Sequence, residues 1–187
     1  RTYSYKSVPS GTPTAPVTVG FSILFSCGAN VSPIFGGTRA TTMATGATEY
    51  HSIMENAAGG ATLANKDQVI PTGGALSKMY VELTGTPGGT ATYAFTLLKN
   101  DITQTMLCTV LSGATTCSDL ANPAISFTAG DLVALQDTPA LTPTARIAHY
   151  SFLWTPTIDG ESLLLGGGGY SFSRLDRYVY ELDGHRG

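Results

Sequence analysis

One alternating run is written twice in this chain, and that repetition limits the fold more than any other feature. Phe21-Ser22-Ile23-Leu24-Phe25-Ser26 returns as Tyr150-Ser151-Phe152-Leu153-Trp154-Thr155, each time after a Thr-Pro-Thr-Ala lead, at 12–15 and 142–145. The register holds through Phe35-Gly36-Gly37 against Leu165-Gly166-Gly167, and on to Thr48-Glu49-Tyr50 against Tyr178-Val179-Tyr180. Successive side chains of a strand point to opposite faces. Val17, Val19, Phe21, Ile23 and Phe25 therefore make one buried face; Ala148, Tyr150, Phe152 and Trp154 make its counterpart, with His149 and Ser151 outward. Residues 1–57 read as the first copy of a segment, 58–132 as a middle that occurs once, and 133–187 as the second copy. One middle with two ends makes a whole module and a surplus part of another, and the surplus needs a partner.

Composition supports strands. Only 12% of the 187 residues are charged, about half the usual share. Gly, Thr, Ser and Pro fill the connections, as in a turn-rich all-β protein. Net charge is −3 and the ten basic residues are scattered apart from Arg174 and Arg177, which argues against binding nucleic acid by phosphate neutralisation. No run of 18 apolar residues exists, so no membrane insertion by a helix is expected. The chain begins at Arg1 with no signal-peptide apolar region, which excludes nothing about export.

In the middle segment, 75–83 and 91–99 read as strands around the Gly/Pro turn from Thr84 to Gly89. Asn100-Asp101 turns the chain into 102–111. These strands are expected to form a meander, followed by a further pair, 125–127 and 132–135, around Thr128-Ala129-Gly130-Asp131. Residues 40–57 read as strand or loop. Short strands with turn-rich connectors predict an antiparallel β-sandwich of jelly-roll type carrying a partial second repeat.

Cys108 and Cys117 flank Ser112-Gly113. Taken as a two-residue hairpin turn, that pair sets Leu111 opposite Ala114 and Cys108 opposite Cys117 at a non-hydrogen-bonded position, with Cα atoms about 4.5 Å apart. A cross-strand disulfide is the expectation, and with it an oxidising compartment. Cys27 is left over, since its counterpart in the second copy is Pro156.

The run Tyr93 to Asp101, the Cys108 to Cys117 segment, Phe127 to Val133 and the Thr-Pro-Thr-Ala at 142–145 together resemble β-sandwich modules of phage fibre and bacterial cell-surface proteins, over roughly 74–165. The resemblance implies a module used in display, adhesion or particle building and carries over no catalytic residue. Asp101 departs from it, standing where an Asn-Gly turn has glycine.

Nothing in the chain announces a reaction. His51, His149 and His185 are far apart, with no His-Glu-x-x-His, Cys-x-x-Cys or Gly-x-Ser-x-Gly. Gly166–Gly169 lacks the Lys-Ser/Thr and the helix of a phosphate loop. Asp101, Asp119, Asp131 and Asp159 are loop carboxylates of the type that ligates Ca²⁺, without the dense spacing of an EF-hand. No residue is assigned to catalysis, to a cofactor or to a metal, and no enzyme activity is expected. The expected function is that of a structural subunit of an extracellular filament, cell-surface or virion structure, forming a homo-oligomer or polymer. Neighbours would be joined by β-strand complementation: Gly166 to Gly169 would act as a hinge releasing 170–182 to complete the neighbour's sheet, with Tyr178, Tyr180 and Leu182 filling its groove. The alternative is an adhesin that binds surface glycan, or a receptor-binding module.

Overall fold

The computed structural model describes residues 30–38, 41–163 and 165. Ten strands follow in order: β1 (Ser32–Gly37), β2 (Glu49–His51), β3 (Gln68–Val69), β4 (Gly74–Leu83), β5 (Thr92–Lys99), β6 (Ile102–Val110), β7 (Thr116–Asp119), β8 (Ile125–Phe127), β9 (Leu132–Ala140) and β10 (Ala148–Pro156). One sheet has the order β1-β10-β4-β7 with β8 also on β4; the other has β2-β9-β5-β6 with β3 also on β9. Every pairing between strands is antiparallel. The chain changes sheet at six of the nine connections between these strands, which interleaves the two sheets in sequence as in a jelly-roll-like sandwich.

Alternation decides which side chains enter the space between the sheets. Ala148, Tyr150, Phe152 and Trp154 of β10 are buried while His149 is exposed, as the period of two requires. They meet Tyr93, Phe95 and Leu97 of β5 and Val133 and Leu135 of β9 in one apolar core. On β4 the inward set is Leu76, Met79, Val81 and Leu83. The three-residue step from Leu76 to Met79 is absorbed by a bulge, where the register with β10 shifts and Lys78 takes φ 56°.

Two expected pairings are corrected. The middle segment does not form a meander: β4 and β5 lie in different sheets, and only β5 and β6 join as consecutive neighbours. Nor do Cys108 and Cys117 face each other across a hairpin. Leu111 to Ala114 does form a turn, closed by Ala114 N–H donating to the Leu111 carbonyl, but it carries the chain from one sheet to the other. In-sheet, Cys108 is opposite Phe95 and Cys117 opposite Val81. Both cysteines point inward from their own sheets, so the disulfide joins them through the sandwich, with Cα atoms 5.7 Å apart.

The β5–β6 turn is tight as expected, and Asn100 and Asp101 both hold left-handed backbone, φ 49° and 65°. Asn100 is fixed by its side chain, which accepts from Leu132 N–H and donates to Asp131. Asp101 has no such compensation among the described residues and, after burial, its charge raises the pKa of Asp67. Asp101→Gly is therefore expected to stabilise the fold by roughly 0.5–1 kcal/mol, seen as a higher thermal midpoint.

Candidate functional site

Most of the described interior is apolar, and its buried acid–imidazole pair lies where β2 meets β9. Glu49 and His51 alternate onto the inner face of β2, and Glu49 lies opposite Asp137 of β9. Asp137 is also opposite Phe95 of β5, so a row that starts with two carboxylates runs on into the apolar core. His51 Nε2 is 2.6 Å from Asp137 Oδ1, and the two residues are 1% and 0% exposed. Glu49, only half-buried, accepts a hydrogen bond from Ala44 N–H at 2.6 Å. One ligand-type atom from each of Glu49, His51 and Asp137 lies within 4.8 Å of the others.

The surroundings close tightly over the cluster. Tyr50 exchanges backbone hydrogen bonds with Gly60, laying the following segment along the free side of β2. A Cβ on Gly59 would come within 2.5 Å of the His51 ring, so only glycine lets the chain pass there. The Tyr150 ring lies 6.2 Å away, its hydroxyl donating to the Ser52 carbonyl. His51 Nδ1 and Asp137 Oδ2 have no hydrogen-bond partner, an unusual condition for buried polar atoms.

Burial pushes the Asp137 carboxyl above the ordinary carboxylate range, and its hydrogen bond and proximity to His51 pull back only part of that rise. Tyr93 is pushed up to about 12 by burial and then by the charges of Asp137 and Glu49. Tyr150 is also raised, by burial first and then by Glu55 and Asp137.

A His–Asp pair orients the base in many hydrolases, but a third, nucleophilic group is needed. The neighbouring Ser52 hydroxyl instead donates to the Lys66 carbonyl. What the cluster can do is share a proton or hold a cation.

The second notable surface is the outer face of the first sheet. Phe35, Ser151, Tyr80 and Ser118 form one row across β1, β10, β4 and β7, and Pro33, Leu153 and Ser77 form the next. Phe35 is 63% and Tyr80 43% exposed, and neither row holds a charge. Charge enters at the bulged Lys78 and in the neighbouring row of Gly37, His149, Glu82 and Thr116.

Two of the described sheet edges, β1 and β6, are blunted. At β1, Gly37 N–H donates to Glu55 and its carbonyl accepts from Ala57, so by alternation Pro33 also faces the open side, with no N–H to offer. On the nine-residue β6, free of charge and proline, the edge is plugged instead: Asp119 accepts from Leu107 N–H and the Asn122 side chain donates to the Thr105 carbonyl.

Of the residues expected to act, Cys108 and Cys117 are bonded, while Gly166, Gly169, Tyr178, Tyr180 and Leu182 lie outside the described residues, as does Cys27. Asp119 and Asp131 are occupied in turns. Burial raises the Asp119 pKa, but hydrogen bonds from Asn122 and Leu107 outweigh it and the net shift is downward. Asp131 is held low by hydrogen bonds from Thr128, Asn100 and Lys99. Asp101 and Asp159 sit exposed in turns. The His51–Asp137 contact was missed because 86 residues separate the partners. Its one sequence signal is a carboxylate at an inward position, in step with Val133 and Leu135. No helix among the described residues is long and apolar enough to cross a membrane. No protein-family model matches the chain, and no curated protein matches it in sequence.

Proposed function

We propose that this chain is a non-catalytic structural subunit of an extracellular filament, cell-surface or virion assembly, joined to copies of itself through the outer face of its first sheet. The observation that carries this reading is the pair of uncharged rows containing Phe35, Tyr80, Pro33 and Leu153. Exposed apolar surface rimmed by polar residues marks an interaction site. A second copy is the occupant because net charge is −3, and an uncharged face is where two such copies meet without like-charge repulsion. The sheet-to-sheet disulfide supports an oxidising location. Because the β1 edge carries proline and the β6 edge is plugged, the face is favoured over strand addition to these two edges.

Negative-stain microscopy of the whole chain beside the Phe35→Asp, Tyr80→Asp double variant tests the reading. Both side chains point outward, so the variant is expected to keep its circular dichroism and lose the assemblies. Equal assembly by the variant would reject the face as the contact. A monomeric wild type that binds a glycan array would favour the adhesin instead.

A further inference from the structure

We propose that Glu49, His51 and Asp137 form a binding site for one divalent transition cation of the Zn²⁺ class, which clamps the edge strand β2 to β9. Three kinds of observation meet at this point. The ligand atoms are already gathered within 4.8 Å, from two strands paired at Glu49 and Asp137. Their chemistry is one imidazole nitrogen and two carboxylates. Nitrogen with oxygen suits borderline cations such as Zn²⁺, whereas Ca²⁺ and Mg²⁺ prefer sets made of oxygen alone. Two carboxylates also supply the charge that neutralises a divalent ion.

The independent observation is an orphaned atom: Asp137 Oδ2 has no partner, although its residue is 0% exposed. Closing a protein around an unpaired carboxylate oxygen is costly, and a bound cation removes that cost. The supporting contacts are those of a metal site: Ala44 N–H fixes the Glu49 carboxylate, and Phe95 and Leu135 flank Asp137 and His51 with dry surface. Half-buried Glu49 gives the ion a way in.

The adjustment required is small. With bonds of about 2.0–2.2 Å in a tetrahedral shell, neighbouring ligand atoms lie roughly 3.3 Å apart. His51 Nε2 and Asp137 Oδ1, now 2.6 Å apart, would open by less than about 1 Å, releasing the proton between them as the ion enters. Three protein ligands leave a fourth coordination position.

The test uses the whole chain, stripped with a chelator and titrated with Zn²⁺ by calorimetry and with Co²⁺ by visible absorption. Expected are one ion per chain, the d–d bands of a low-symmetry Co²⁺ site, a higher thermal midpoint, and no comparable response to Ca²⁺. Glu49→Gln alters a half-buried residue outside the His–Asp pair and should keep the fold while weakening Zn²⁺ at least tenfold. Asp137→Asn, which conserves shape, should weaken it further. The proposal is overturned if the wild type shows no saturable binding, if both variants bind as it does, or if Ca²⁺ binds equally well.

Discussion

Replacing Cys108 and Cys117 together by alanine is expected to cost about 2–3 kcal/mol of stability. The estimate follows from the closed loop, whose cysteines are separated by 9 residues, and from the entropy that the unfolded chain regains when it opens. For a chain of this size the loss lowers the thermal midpoint by roughly 5–10 °C. Position adds a consequence that a bond within one hairpin would not have. The bond ties the edge strand β6 of one sheet to β7 of the other, so its removal should loosen those strands before the β4–β10 centre. Hydrogen exchange on the wild type with and without reductant would locate the effect. A midpoint unchanged by reduction would show that the bond contributes nothing, and uniform exchange would deny the sheet-to-sheet role.

His51→Ala is expected to be more damaging, at about 3–5 kcal/mol near neutral pH, because it leaves the Asp137 carboxylate buried without its partner. The pH dependence carries the diagnosis. Asp137 has a folded-state pKa raised above the ordinary value, so the folded state binds its proton more readily than the unfolded chain does. Its contribution to stability is therefore greatest at low pH and is lost as pH rises through the raised folded value. Without His51 the rise is larger, so the variant's deficit should shrink in acid, where Asp137 is neutral. Asp119 and Asp131 act in the opposite sense. Their lowered values give stability that is present above the ordinary carboxylate pKa and lost as pH falls through the folded values, in both proteins alike. Denaturant melts of wild type and variant, compared at each pH, cancel that common part. A deficit constant with pH would mean that packing, and not the stranded carboxylate, explains the loss. Adding Asp137→Leu to His51→Leu should recover most of the stability, since apolar replacements remove the buried charge itself.

These predictions rest on features of differing legibility. The inward face of β10 was readable, because burial on a strand repeats every second residue; Tyr150, Phe152 and Trp154 are placed as their alternation requires. Sheet membership was not readable. Ser112-Gly113 has the composition of a hairpin turn, yet the same dipeptide here serves a crossover, and periodicity says which face is inward without saying which sheet owns it. That is why the bond between Cys108 and Cys117 could be expected while its geometry was misjudged. The repeat remains a feature of the sequence. Phe21 and Phe25, which should match Tyr150 and Trp154, lie outside the described residues, while Phe35 stands 63% exposed in β1 and its counterpart Leu165 is 7% exposed outside any strand. Strands from all three sequence segments share one sandwich. The polar cluster was hidden for a different reason: Glu49 and His51 become neighbours of Asp137 only through pairing of β2 with β9, which no local pattern encodes.

The central claim, that copies meet through an uncharged sheet face, is tested most directly by sedimentation of the whole chain across a range of protein and salt concentrations. Contacts among Phe35, Tyr80, Pro33 and Leu153 should give a mass that rises with protein concentration and persists at high ionic strength, because no charge is there to be screened. A chain that stays monomeric throughout, or whose association disappears as salt is added, would contradict it.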